Sequence, residues 1–273
     1  MKGDAANLPV LWNFVSLAPM KKRILLTGSS GRIGRGVTAE LVRRGHDVRG
    51  FDLMPTPGLA DMVVGTLTDR AGIDRAMQGR DTLIHLAATP DDDDFEARIV
   101  PNNIIGLHHV MESARAAGVQ RMVLASSSQL HWFDRLSGHL PVTEATPITP
   151  RYWYGASKAF LEAAGKAFFL NFGIDVVAVR LGWCPRTTKQ VQEILAADWA
   201  KDVYLSFADA GRFFALAVES PKKLGYETLF CASRSLQSPH FDLTKAREVL
   251  GYEPQDEWPI GAEDLLPKPQ AAG

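Results

Sequence analysis

The sequence predicts an α/β fold, a doubly wound parallel sheet with helices on both faces, on three observations. Short β-rich runs alternate with helical patterns along most of the chain. Helical runs repeatedly stop at a glycine. The first apolar run, "ILLTGSSGRIGRG" (24–36), breaks into evenly spaced glycines where a helix should start.

Taken in order, strands are expected near 23–27, 47–52, 61–64, 82–86, 121–126, 175–181 and 228–232. Helices are expected near 33–44, 69–77, 97–117, 154–172, 209–218 and 244–250. Gly45, Gly79, Gly118, Gly173 and Gly251 follow helical runs, as left-handed caps do. Residues about 183–208 and 233–273 fit the alternation poorly and are expected to form a small substrate-side lobe toward the C-terminus. Residues 1–19 read as an N-terminal extension ahead of a single domain over 20–273. Its apolar stretch "LPVLWNFVSLAPM" (8–20) is broken by Pro9 and Asn13, and Lys2 is offset by Asp4, which argues against a signal peptide.

Composition limits the partners. A chain of 273 residues with 46% apolar content can bury a full core. A net charge of −1 gives no global field to recruit nucleic acid or an anionic membrane. No run of 18 apolar residues would span a bilayer. Cys184 and Cys231 suggest neither a disulfide framework nor a zinc site, and a reducing cytoplasm is expected.

The glycines have a physical reading. Gly28 permits a tight turn after the first strand, and Gly31 lets the backbone approach a pyrophosphate. Gly34 lets the following helix pack closely on the strand. That helix then offers free N–H groups to phosphate. Asp52, at the end of the next strand, can accept both ribose hydroxyls and would repel a 2′-phosphate, which favours NAD over NADP. Arg32 and Arg49 leave the phosphate reading open, since a nearby guanidinium could bind it. Together these features describe a Rossmann-type nucleotide site.

"YWYGASKAF" (152–160) places Tyr154 and Lys158 four apart, on one helix face. An ammonium beside a phenol is expected to lower its pKa, so that a phenolate can take the proton of a substrate hydroxyl. The strand "RMVLASSSQLHW" (121–132) ends in Ser126, Ser127 and Ser128, at the sheet edge where open α/β sheets bind ligands.

TGSSGRIG, HLAA (85–88), ASSS and YGASK occur in the order found in extended short-chain dehydrogenase/reductases, the NAD-dependent epimerase/dehydratase family. The resemblance covers about 24–260. "NNIIGLHHVMESARAAG" (102–118), "RLGWCP" (180–185) and "PKKLGYETLFCAS" (221–233) are similar to uronate dehydrogenases, which oxidise the anomeric carbon of a hexuronic acid to an aldarolactone with NAD.

The resemblance implies that Gly28, Gly31 and Gly34, with Ser30, Arg32 and Ile33 among them, hold the pyrophosphate, and that Asp52 holds the adenosine ribose. It places Leu67, Leu86, Ala87 and Ala88 along the cofactor and Cys184 near its carboxamide. Tyr154 would be the base, Lys158 would hold the nicotinamide ribose, Ser127 would be the catalytic serine, and Asn103 would support the lysine. Thr89, Ser127, Ser128, Gln129 and Arg186 would meet substrate. In this family the helices 97–117 and 154–172 make a dimer contact, so a homodimer is expected. An epimerase or dehydratase with bound NAD, or a non-catalytic NAD(H)-binding regulator, are the alternative functions.

The sequence also departs from the family. Ser128 and Gln129 stand where uronate dehydrogenases usually carry Asn-His. Thr66 replaces an acidic residue that meets the adenine. Arg186 is the nearest candidate in sequence for binding a uronate carboxylate.

The acidic run "PDDDDFE" (90–96) reads as a solvated loop that caps the next helix, not a cation site, and no metal is expected. If it faced the active site it would argue against an anionic substrate. His108 and His109 read as surface or interface residues, not a metal site, and His131 and His139 as loop residues near the serine strand. Trp132, Phe133, Trp153 and Trp183 fit either a sugar pocket or core packing.

Overall fold

Strand β1 (Arg23–Thr27) is buried at every position after the first, because helices cover both faces of the sheet. Its neighbour Thr82–His85 is buried throughout in a computed structural model that describes residues 21–134, 138 and 140–267. The other strands are β2 (Asp47–Asp52), β3 (Met62–Val64), β4 (Thr82–His85), β5 (Arg121–Ser127), β6 (Asp175–Leu181) and β7 (Tyr226–Cys231). All pairs are parallel, in the order β3-β2-β1-β4-β5-β6-β7. The chain runs outward from β1 to β3 and returns to β4 on the other side of β1. The crevice at the carboxyl ends of β1 and β4 is therefore the switch point where such sheets bind ligands.

One face carries α1 (Arg32–Arg43), α7 (Phe207–Glu219) and α8 (Thr244–Leu250), whose side chains share a core with Ile24, Leu26, Val123 and Val177. The other carries α2 (Arg70–Met77), α3 (Gly106–Ala116) and α4 (Tyr152–Phe172), packed on Leu25, Leu83, Met122 and Val176. Helices α1 and α7 approach backbone to backbone. A Cβ on Gly36 would lie 2.5 Å from the Phe207 carbonyl oxygen.

Two segments differ from the sequence reading. The helix expected at 97–117 begins as a π-helical stretch, Phe95–Ile105, with Pro101 inside it. Pro101 has no N–H to donate within the helix, and at the end of the stretch the Gly106 N–H reaches back five residues to the Pro101 carbonyl. In 183–208 two further helices form, α5 (Thr188–Leu195) and α6 (Asp198–Asp202). The Thr187 side chain caps α5 by accepting from the Gln190 N–H. Val191, Ile194, Ala200 and Tyr204 of this region pack against Trp258 and Ala262 near the C-terminus, forming a core of their own. The extension at 1–19 lies outside the described residues.

Candidate active site

The turn after β1 is built for close approach. Gly28 has φ +75°, and a Cβ there would sit 2.6 Å from the Ala87 nitrogen. A Cβ on Gly34 would sit 2.0 Å from the Gly28 carbonyl oxygen. A Cβ on Gly31 would meet only the Gly28 oxygen at 3.3 Å, so that glycine faces open space. These residues, with Ser30, Arg32, Ile33, Leu67 and Leu86–Thr89, wall a cleft of about 420 Å³. The Asp52 carboxylate lies at its edge, accepting from the Ser30 N–H at 2.9 Å and the Leu53 N–H at 2.7 Å. Its remaining lone pairs are available to hydroxyls.

Both arginines that left a 2′-phosphate open are held elsewhere. Arg32 donates to both Asp264 oxygens, at 2.9 and 2.5 Å, and to the Gly261 carbonyl. Arg49 is tied to Asp61 at 2.9 Å and to the carbonyls of Ala76 and Gln78. The buried Nε of Arg32 has no partner among the described residues. An unpartnered donor, an open amide turn and a carboxylate at strand β2 together fit the diphosphate and ribose of NAD.

The catalytic candidates converge beside this cleft. Lys158 is buried and its Nζ donates to the Ala125 carbonyl at 2.8 Å, while lying 5.5 Å from the Tyr154 ring centre. Burial draws the lysine down to about 8. The Tyr154 phenol is pushed up to about 12, by burial first and the Asp91 charge second; a hydrogen bond to Ser127 and the Arg186 charge act the other way. The expected lowering of the phenol by Lys158 is thus corrected in this state. The ammonium points at the ring and at a carbonyl, and desolvation dominates. Ser127 also accepts from the Gln129 N–H at 3.1 Å.

Ser126 is committed otherwise, donating to Glu162 at 2.7 Å. Glu162 makes two bonds to Arg180, both 2.9 Å, and Arg180 Nη1 lies 2.9 Å from His131 Nε2. A guanidinium can only donate, so His131 accepts at Nε2 and donates from Nδ1 to Asp134 at 3.1 Å. Burial and the Arg180 charge lower the His131 pKa, which keeps it neutral. This buried chain links α4, β6 and the turn after β5. Beneath the glycine turn, His85 meets Thr27 Oγ1 at 2.7 Å and is drawn down to about 3 by burial and then by Lys158.

A second cavity of about 330 Å³ opens from the first and shares Ile33, Ser126, Tyr154, Leu181 and Arg186 with it. Ser127, Ser128, Gln129, Trp132, Trp183 and Cys184 line it. Cys184 is therefore on this second wall and not in the cofactor cleft, and burial raises its thiol to about 12. Thr89 lies in the cofactor cleft. Asn103 is buried and does not reach Lys158: it brackets the Thr89 backbone at 2.8 and 3.1 Å and donates to Ser157 at 3.1 Å.

The acidic run has divided roles. Asp94 caps the π-helical stretch through the Ala97 N–H at 2.7 Å, as expected of a capping loop. Asp92 accepts from the N–H groups of Trp153 and Tyr154 at 3.1 and 3.3 Å, at the start of α4. Asp91 faces the second cavity and pairs with Arg186.

His131 and Trp132 prove to be cavity residues, whereas Trp153 is exposed and packs tilted against Phe95, ring centres 4.4 Å apart. His109 bonds the Leu67 carbonyl, and His139 lies outside the described residues. Glu162, Arg180 and Asn102, which lines the cofactor cleft and donates to the Thr89 hydroxyl at 2.9 Å, have no motif in the sequence that marks them. The only trace of Glu162 is an acidic residue four after Lys158 on a largely apolar helix.

Comparison with known proteins agrees with this geometry. The model of the NAD-dependent epimerase/dehydratase family matches residues 24–183. An L-arabinose 1-dehydrogenase (NAD(P)(+)) of Haloferax volcanii is 31% identical, over 86% of this chain and 96% of its own. An NAD-dependent glucose-6-phosphate dehydrogenase of the same organism is 28% identical, over 87% and 94%. The crystal structure of uronate dehydrogenase from Agrobacterium tumefaciens, a tyrosine-to-alanine variant complexed with NAD, superposes with a TM-score of 0.73. It is 26% identical, and the match covers 92% of each chain. The chain belongs to the NAD-dependent epimerase/dehydratase family and is an NAD-dependent enzyme.

Proposed function

We propose that this chain is a sugar dehydrogenase that oxidises a sugar hydroxyl with NAD. The observation that carries the reading is the meeting of two cavities at Tyr154, with Ser127 and Lys158 beside it. Gly28, Gly31, Gly34 and Asp52 would hold the dinucleotide, and Ile33, Leu67, Leu86, Ala87 and Ala88 would flank it. When bound, NAD supplies the hydride acceptor and a positive charge on the nicotinamide ring. Ser127 holds the reacting oxygen and keeps Tyr154 aimed at it. Tyr154 takes the hydroxyl proton as a phenolate, a state that the nearby Lys158 ammonium supports once burial is offset. Asn103 fixes Thr89 and Ser157 and so holds the backbone around the base, a supporting role different from the one the resemblance implied.

The segments about 183–208 and 233–267 form the substrate side in this reading, supplying Trp183, Arg186 and His240 to the second cavity. Phe160 and Leu170 stand exposed on one side of α4, and this face is the proposed homodimer contact, checked by light scattering. Two buried free thiols, Cys184 and Cys231, support a cytoplasmic setting.

The test is NADH formation at 340 nm with aldoses, uronates and nucleotide sugars. Steady turnover of a free sugar supports the reading. Epimerisation of a nucleotide sugar without net NADH, with NAD released on denaturation, would replace it with an epimerase.

A further inference from the structure

The second cavity carries an unusual charge for a sugar-acid site. Three carboxylates, Asp91, Asp92 and Glu193, line it against two guanidiniums, Arg151 and Arg186. Asp92 is turned to the α4 amides, but Asp91 is turned inward, and three side chains converge on it. Arg186 pairs with one oxygen, which Gln190 Nε2 also approaches at 3.1 Å; Gln129 Nε2 lies 3.5 Å from the other. Arg186, the sequence candidate for holding a carboxylate, therefore already has one.

Asp91 sits at φ +59°, a left-handed position that Asp and Asn tolerate better than other side chains. It lies in the loop after β4, on the wall of the second cavity. Tyr154 lines the same cavity, so the carboxylate and the reacting group share one chamber. Arg151 is the other cation. Its guanidinium lies 4.6 Å from the Trp132 ring centre and 4.3 Å from that of Tyr152, and it donates to the Tyr152 hydroxyl. It is thus stacked between aromatic faces, with Trp132 and Trp183 providing further aromatic wall.

We propose that Asp91 is the specificity-determining residue of this cavity. Its carboxylate accepts hydrogen bonds from the hydroxyls of an uncharged aldose and keeps Arg186 occupied, so the substrate class is a neutral aldose and not a hexuronate. This rests on the dehydrogenase reading above and narrows it. A carboxylate facing the pocket accepts from sugar hydroxyls as it does from amides, and it repels a second carboxylate in a partly desolvated site. Aromatic faces suit the C–H surface of a neutral ring.

The experiment compares wild type with Asp91→Asn, which keeps the shape, tolerates the left-handed backbone and removes the charge. Both are assayed for NADH formation with L-arabinose, D-xylose, D-glucose, D-galactose, D-glucuronate and D-galacturonate. Binding of the same sugars to the NADH complex is followed by tryptophan fluorescence. Wild type is expected to favour a neutral aldose over both uronates by at least 10-fold in kcat/KM. Asp91→Asn should raise KM for that aldose 10-fold or more and shift the aldose-to-uronate ratio toward uronates by 10–100-fold.

Wild-type preference for a uronate, or a ratio unchanged within twofold in the variant, overturns the proposal and leaves the dehydrogenase reading intact. If no sugar is oxidised yet a neutral aldose binds and the variant weakens it, the dehydrogenase reading fails and the assignment of Asp91 stands. If no sugar is oxidised and none binds, both fall.

Discussion

In the cofactor cleft the phosphate end is walled by glycines and backbone of one short turn, whereas in the adjoining cavity the wall is made of side chains from far-apart stretches. The first wall is set by the fold itself. Its critical distances are between backbone atoms, such as the 2.0 Å that would separate a Cβ on Gly34 from the Gly28 oxygen. The second is set by which side chains the loops deliver, and Asp91, Gln129, Arg186 and Gln190 come from three separate segments. A backbone-built site conserves what is bound; a side-chain-built site can change its substrate without disturbing the fold.

Four changes would break or sharpen this contrast. Tyr154→Phe stands at the junction and has the largest effect: kcat is expected to fall by roughly 10²–10⁴-fold, with NADH affinity within twofold of wild type by fluorescence titration. Unchanged turnover would remove the base.

Gly34→Ala attacks the backbone wall. The added Cβ has nowhere to go, so stability should fall by about 3 kcal/mol, read by urea denaturation, and cofactor binding should fall with it. A variant as stable as wild type would show that the helix can shift away from the turn.

Lys158→Met should act in the opposite direction on stability. The folded lysine sits at about 8 against an ordinary value of 10.5. Between those values the unfolded chain holds more protons, so stability rises with pH there and the burial cost is fully present below pH 8. Relief of that cost, less the lost bond to Ala125, should stabilise the apoprotein by about 2 kcal/mol at pH 7. The gain should shrink between pH 8 and 10.5, while activity is lost throughout. A destabilised variant at pH 7 would mean the ammonium is better compensated than its surroundings suggest.

Gly31→Ala is the smallest and most discriminating change. Its Cβ would enter open space, so stability should stay within about 0.5 kcal/mol of wild type, while NAD affinity drops measurably. Equal loss of both would show that Gly31 serves the turn and not the ligand.

The same contrast explains what could be read from the sequence. The glycine spacing, Asp52 and the Tyr154–Lys158 pair are local patterns, and the parallel, doubly wound sheet followed from the alternation of strands and helices. The π-helical stretch Phe95–Ile105, with Pro101 inside it, widens the turn in a way that a periodicity of 3.6 does not register. The direction of the Tyr154 shift was missed because burial is a property of the whole assembly, and spacing along a helix reports only the lysine. The acidic run was read as a capping loop, which holds for Asp94 and not for Asp91. The left-handed turn at Asp91 that divides them has no signature in a row of identical residues.

Asp91 and its neighbour Asp92 have a practical consequence for anyone redesigning this protein. One side chain meets the cavity while the next pins the first turn of the tyrosine-bearing helix. Grafting a whole loop from a relative would therefore swap selectivity and unfasten the catalyst in the same operation. Libraries that vary single positions opposite Asp91, and leave loop length untouched, offer the route to new sugars with turnover retained.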